Sequence, residues 1–270
     1  MTFNLYVLKC RFVVKTPLVF PTYTAANVFR GALGFALEHL GDSDRTFHPV
    51  QETGPSGLAD PPRPFVIRAE HLNGCRFVPR EQFSMALHIF DGSLVNSFVD
   101  ALRVAAAGGL GPLHGTAELA AFDNDPVSID LRSGSQEVHR AGVRFLTATE
   151  LKHQGAIVSR PAFGVLIGRT RDRVSTLRSL YGEGTLDVDF QEMNRRALTI
   201  NLTRVELETV HRERRSSRTG QVHPLDGFTG YVEYEGDLTE FWPFLVAAQY
   251  TGVGRQTVWG KGAIEVSRLA

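Results

Sequence analysis

Two stretches of this chain carry the same succession of hydrophobic periods, and that repetition limits the fold more than any single motif. From Leu5 to Lys15 the apolar Tyr6, Leu8, Cys10, Phe12 and Val14 alternate with Lys9, Arg11 and Lys15, the two-residue period of a strand. Thr24 is placed to cap a helix that runs to about Leu40, with Phe29, Leu33, Leu37 and Leu40 at helical spacing and Gly41 as its C-cap. A Pro/Gly-rich loop from Gly54 to Pro64 precedes two strand candidates, Phe65 to Ala69 and Phe83 to Phe90. A helix through Leu94, Phe98, Leu102 and Ala105 follows, then Gly109 and Gly111 and a strand through Leu119.

The order recurs. A strand from Val143 to Ala148 leads to a helix bearing Phe163, Leu166, Ile167, Val174, Leu177 and Tyr181, stopped by Gly182. Strands at Leu198–His211 and Phe228–Tyr234 precede a helix with Leu238, Phe241, Trp242, Leu245 and Val246, and a last strand covers Ala263–Val266. Each half reads βαββαβ, so the expected fold is α+β, with tandem ferredoxin-like domains. The expected division is residues 1–123, a linker at 124–142 rich in Asp, Ser and Gly, and residues 143–270.

With 270 residues and 43% hydrophobic content, the chain can fill two such cores. Its formal net charge is zero, so any polyanion-binding surface must be local. Only Lys9, Lys15, Lys152 and Lys261 are lysines; nearly all positive charge is guanidinium, suited to bidentate phosphate contact, although a GC-rich genome yields the same bias. Cys10 and Cys75 supply neither a disulfide framework nor a zinc set. With no apolar run of spanning length and no secretory leader pattern, a soluble, cytoplasmic protein is expected.

Gly252-Val-Gly254-Arg255-Gln-Thr-Val-Trp-Gly260-Lys261-Gly262 sets four glycines and two cations between the last helix and the last strand. Glycine permits close backbone approach to phosphate, and Arg255 and Lys261 add Coulomb attraction. A P-loop does not fit, because five residues separate Gly254 from Gly260 and Gly262 stands where Ser or Thr is needed. A dinucleotide fingerprint fails at Thr257, and the helix precedes the loop. A turn that merely joins helix to edge strand would have the same composition. A second basic group, Arg212, Arg214, Arg215 and Arg218 with two serines between, falls at the connection of two strands, as in a hairpin that holds RNA phosphate or in a solvated turn. The helix cations Arg169, Arg171, Arg173 and Arg178 read as ordinary helix surface.

The eleven-residue glycine pattern, at its place after the last helix of a second ferredoxin-like domain, resembles the signature loop of the RAMP superfamily. Within it the chain looks most like the CRISPR-associated endoribonucleases that process precursor CRISPR RNA. Gly227-Phe-Thr-Gly-Tyr231, Arg30-Gly-Ala-Leu-Gly34 and the Gly109–Gly111 turn extend the likeness over nearly the whole chain. The resemblance implies binding of CRISPR repeat RNA through Gly252, Gly254, Arg255, Gly260, Lys261 and Gly262. It also implies metal-independent cleavage in which the ribose 2′-hydroxyl attacks the adjacent phosphate. Such chemistry needs a proton acceptor, a proton donor and a cation. The family's catalytic histidine at the end of the first helix corresponds to His39, its earlier tyrosine to Tyr23, and a cation just past the helix to Arg45. His223, after the basic hairpin, is a second candidate. His39 could equally serve the helix dipole. No cofactor is implied, and no metal either: relatives often carry cysteines before the Pro-Arg-Pro-Phe stretch, whereas Phe47 to Pro64 contains none. Partners implied are repeat RNA and other CRISPR effector subunits, and the chain is also compatible with a homodimer. The same fold serves non-catalytic RAMP subunits that coat guide RNA, and a small-molecule-binding ferredoxin-like protein is a third reading.

Overall fold

The computed structural model describes residues 1–47, 61–211, 213–215 and 222–270, with the backbone alone at 44, 45, 213–215 and 222–224. The first unit comprises β1 (Thr2–Val14), α1 (Ala25–Leu40), β2 (Phe65–Arg68), β3 (Gln82–Ile89), α2 (Val95–Gly108) and β4 (Ala117–Asp130). The second comprises β5 (Arg140–Thr149), α3 (Phe163–Tyr181), α4 (Phe190–Ala197), β6 (Asn201–Val210), β7 (Gly227–Glu235), α5 (Trp242–Thr251) and β8 (Ile264–Arg268). The sheets run β2-β3-β1-β4 and β6-β7-β5-β8, antiparallel throughout. In each, the unit's first strand lies between its third and fourth, so the fold is a tandem of ferredoxin-like units.

Local chemistry explains the elements. In α1, Ala25, Ala26, Phe29, Leu33, Ala36 and Leu37 form the buried stripe. Gly41 closes the helix in the left-handed region at φ 80°, its N–H reaching Glu38 O at 3.2 Å while Asp42 N–H reaches Leu37 O at 2.9 Å. Thr24 makes no side-chain cap; Asn73 Oδ1 accepts from Ala25 N–H at 3.0 Å instead.

Residues 124–142 are not a free linker. Asn124–Asp130 continue β4, and Arg140–Gly142 already belong to β5, leaving 131–139 as the connection. The cause is β1, whose thirteen residues pair with β4 from Thr2↔Asp130 to Val14↔Ala117. The polar residues that suggest a linker, like Pro126 among them, are those an exposed edge strand tolerates. A second difference is α4, which stands just before β6. Asp189 caps it, accepting from Gln191 and Glu192 N–H at 3.0 Å each, and only Met193 and Ala197 are buried, so its apolar period is too sparse to read.

Leu8, Cys10, Phe12 and Val14 of β1 pack under α1 and α2, as alternation predicts. Phe3, Leu5 and Val7 on its other face join the core of the second unit with Val143, Phe145, Phe163 and Leu245. The units are therefore welded by apolar contact. Polar bonds follow the same seam: Tyr181 Oη donates to Pro62 O at 2.7 Å and Arg178 Nε to Thr2 O at 2.7 Å. The α3 arginines are consequently not plain helix surface. Arg171 is buried, its guanidinium on Asp172, Asn194 and the Phe190 carbonyl, and of the four only Arg169 is exposed, its guanidinium on the Lys152 carbonyl. No helix among the described residues is long and apolar enough to cross a membrane.

Candidate functional site

α5 ends at Thr251, and the chain enters the glycine loop directly. Gly252, Gly254, Gly260 and Gly262 all take positive φ, from 67° to 85°. A Cβ at Gly262 would overlap the Val253 carbonyl, and one at Gly260 would overlap the Cβ of Ala26 in α1. The loop's N–H groups largely serve the chain itself: Val253 donates to Gly262 O at 2.9 Å, Arg255 to Glu150 O at 3.2 Å and Gly262 to Ala148 O at 3.1 Å. Residues Thr257–Trp259 form one tight turn, closed by Gly260 N–H on Thr257 O at 3.0 Å. These glycines therefore meet the loop's own sterics.

The two loop cations part company. Arg255 stays 55% exposed, with Nη1 2.9 Å from Glu150 Oε1. Lys261 is 4% exposed, and its three ammonium donors are taken by Glu150 Oε2 at 3.1 Å, Asp226 O at 2.7 Å and Gln256 Oε1 at 3.0 Å. Lys261 is thus a buried brace of the loop and, in this structure, has no donor left for phosphate, contrary to the expectation from its sequence position. Burial pushes the Glu150 carboxyl up, but hydrogen bonds from Arg255 and Lys261 outweigh it and hold the group below its ordinary value. At Lys261 burial wins, and the ammonium sits below its ordinary value despite Glu150.

The loop rests on the N-terminal half of α1. Gly260 abuts Ala26, and the Arg30 guanidinium stacks between Trp259 of the loop, 5.5 Å from its ring, and Phe47, at 5.3 Å. His39, exposed in the last turn of α1, lies about 20 Å along the helix from Ala26, at 1.5 Å per residue. Tyr23 lies two residues before the helix and is 55% exposed. Tyr23 therefore stands before the loop end of α1 and His39 at the other end. Arg45 falls in the single helical turn Ser43–Thr46 that follows α1, at the His39 end. Between β6 and β7, Glu213–Arg215 pair with Val222–Pro224, and Arg214 opposes His223 in register. Arg212 and Arg218 lie outside the described residues.

Gly260→Ala is expected to destabilise the protein by about 2 kcal/mol, from its left-handed backbone and the lost fit on Ala26. Gly31→Ala, whose added Cβ meets nothing within 4 Å on the exposed helix face, is expected to stabilise by up to about 1 kcal/mol. Urea unfolding of both variants checks the pair, and a neutral Gly260→Ala would mean that the loop does not seat on α1.

The family model for the CRISPR-associated endoribonuclease Cas6 matches residues 143–264, and a second model, described as an N-terminal domain, matches residues 3–151. The second unit thus matches the Cas6 family of CRISPR-associated endoribonucleases over nearly its whole length. Its fold is similar to Cas6 of Thermus thermophilus, with a TM-score of 0.63 at 15% identity over 99% of each chain. A Cas6 product complex aligns with a TM-score of 0.62 at 18% identity, covering 98% of this chain and 99% of the other. A Cas6-related protein from Pyrococcus furiosus aligns with a TM-score of 0.53 at 10% identity, over 97% and 98% of the chains. Among curated proteins none matches.

Sequence reasoning misses several residues that shape this candidate site. Glu150, the carboxylate that organises both loop cations, sits just past β5 with no motif around it. Arg30 carries a signal only as part of a helix-one glycine pattern. Arg68, His88 and Arg173 gather at the C-terminal end of α5, although nothing in their neighbours predicts it.

Proposed function

We propose that this protein is a Cas6 family member that binds CRISPR repeat RNA and cleaves it without a metal ion. The ribose O2′ attacks the adjacent phosphorus and the bond to O5′ breaks, leaving a 2′,3′-cyclic phosphate and a 5′-hydroxyl end. A base takes the 2′-hydroxyl proton and an acid returns one to O5′. The observation that carries the reading is the Cas6 match over the second unit combined with an exposed histidine at the end of α1. His39 fills one proton-transfer role, and Arg45, at the same end of the helix, is the cation nearest in sequence for the developing phosphorane charge. His223 remains the candidate from the second unit. Tyr23 belongs with the loop end of α1, where an exposed aromatic offers a face for a base.

Arg255 is the loop cation that presents its guanidinium to solvent, so it carries the phosphate contact in this reading. Arg255→Ala is expected to weaken RNA binding and to lower the salt slope of the dissociation constant by about 1. The reading as a whole is tested by incubating repeat-containing RNA with the protein in EDTA and mapping both product ends. Cyclic phosphate and 5′-hydroxyl ends are expected. Tight binding without cleavage would instead favour a guide-RNA-coating role, and cleavage that stops in EDTA would remove the metal-free mechanism.

A further inference from the structure

Three side chains from three elements converge on consecutive carbonyls at the C-terminal end of α5, immediately before the glycine loop. Arg68, the last residue of β2, donates through Nη2 to Gln249 O at 2.8 Å and more weakly to Tyr250 O at 3.4 Å. His88 of β3 places Nδ1 2.9 Å from Tyr250 O, and Arg173 of α3 donates from Nε to Thr251 O at 2.9 Å. Among the described residues no carboxylate forms an ion pair with Arg68 or Arg173, and one nitrogen of each, Nη1 and Nη2 respectively, is buried without a protein acceptor. Burial holds both guanidiniums down to about 10, Arg173 also feeling the charge of Arg68. His88 is pushed down to about 3 by burial and then by Arg68, so at neutral pH it is uncharged and its Nδ1–H donates.

Two partly buried arginines with no carboxylate in ion-pairing range, Glu70 acting on Arg68 only through space, are a costly way to end a ten-residue helix. What faces them is the negative pole of α5 and its last carbonyls. Arg68 and His88 come from the first unit, Arg173 and α5 from the second, so the cluster ties the loop's entry to the packing of one unit on the other.

We propose that Arg68 and Arg173, with His88, are positioning residues for the glycine loop. By anchoring residues 249–251 they set where Gly252 starts and hence where Arg255 meets RNA. The inference rests on the reading that the loop contacts RNA, and the test separates the two. The full chain is compared with Arg68→Met, Arg173→Met, Arg255→Ala, the double variant Arg68→Met with Arg255→Ala, and Val99→Ala. Val99 is buried in the first-unit core, and its truncation lowers stability away from the cluster. The measurements are repeat-RNA affinity, single-turnover cleavage at saturating RNA, and thermal midpoint.

Arg68→Met and Arg173→Met are expected to weaken RNA binding about tenfold while cleavage at saturation stays within about twofold. Val99→Ala is expected to lower the midpoint without weakening binding. Adding Arg255→Ala to Arg68→Met is expected to cost less affinity than Arg255→Ala alone, because a displaced loop has already lost that contact. Unchanged affinity in both methionine variants, with Arg255→Ala still weakened, would overturn the proposal but leave the loop as an RNA contact. Unchanged affinity in Arg255→Ala as well would overturn the loop reading itself. Should Arg68→Met fail to fold, Arg68→Lys and His88→Asn give the same comparison with the charge kept or a single bond altered.

Discussion

His39→Ala is expected to slow RNA cleavage by about 10²- to 10⁴-fold while RNA affinity and folding stay near those of the parent protein. The expectation follows from the placement of His39. The buried stripe of α1 is built from Phe29, Leu33 and Leu37, and His39 stands outside it in the last turn, exposed. Removing its imidazole opens no cavity, and the lost interaction with the helix C-terminus is worth only about 0.3–1 kcal/mol. A large rate loss would therefore be chemical in origin. Tyr23→Phe supplies the contrast, since Tyr23 stands just before the opposite end of α1. It is expected to alter affinity more than the rate at saturating RNA. If Tyr23→Phe halts cleavage and His39→Ala does not, the chemistry lies at the loop end of α1, and the assignment of His39 falls.

Lys261→Ala is expected to destabilise the fold by about 3 kcal/mol, because removing one partner of a buried pair strands the other. Glu150 would keep only the half-exposed Arg255, and the Asp226 carbonyl and Gln256 amide oxygen would each lose a donor. A fall in thermal midpoint of about 6 °C or more would register it. The pH dependence gives an independent check through Glu150→Gln. The Glu150 carboxyl titrates below its ordinary value in the folded state, so its contribution is fully present above the ordinary carboxylate range. That contribution is lost as pH falls through the depressed folded-state value. The stability gap between parent and Glu150→Gln should accordingly be wide at pH 7 and close on acidification below about pH 4. Were Lys261 a direct phosphate contact, its alanine variant would keep the parent midpoint and lose salt slope in RNA binding instead.

Much of this architecture is legible in the residues alone because strands and helices announce themselves within one turn or one pleat. The alternation of Tyr6, Leu8, Cys10, Phe12 and Val14 and the period of Phe29, Leu33 and Leu37 are local signals, and their recurrence in the second half yields the tandem fold. Where such signals are weak the reading slips. The polar residues of Asn124–Asp130 suggest a linker because this part of an exposed edge strand sets only Val127 and Ile129 against a core, and α4 hides behind its two buried residues.

The glycine loop divides along the same line. Its place after the last helix, its family and its glycine spacing are properties of contiguous sequence. The fate of its charges is not. Arg255 and Lys261 look equivalent in the chain, yet one reaches solvent and the other is enclosed by Glu150, 111 residues away. Arg68 and Arg173, unremarkable in their own elements, meet at the end of α5 only because two units pack face to face. An apolar period specifies which side of an element is buried, whereas a charge specifies only that something must solvate it. Whether that is water, a phosphate, a carboxylate or a helix end depends on what tertiary packing brings within hydrogen-bonding reach.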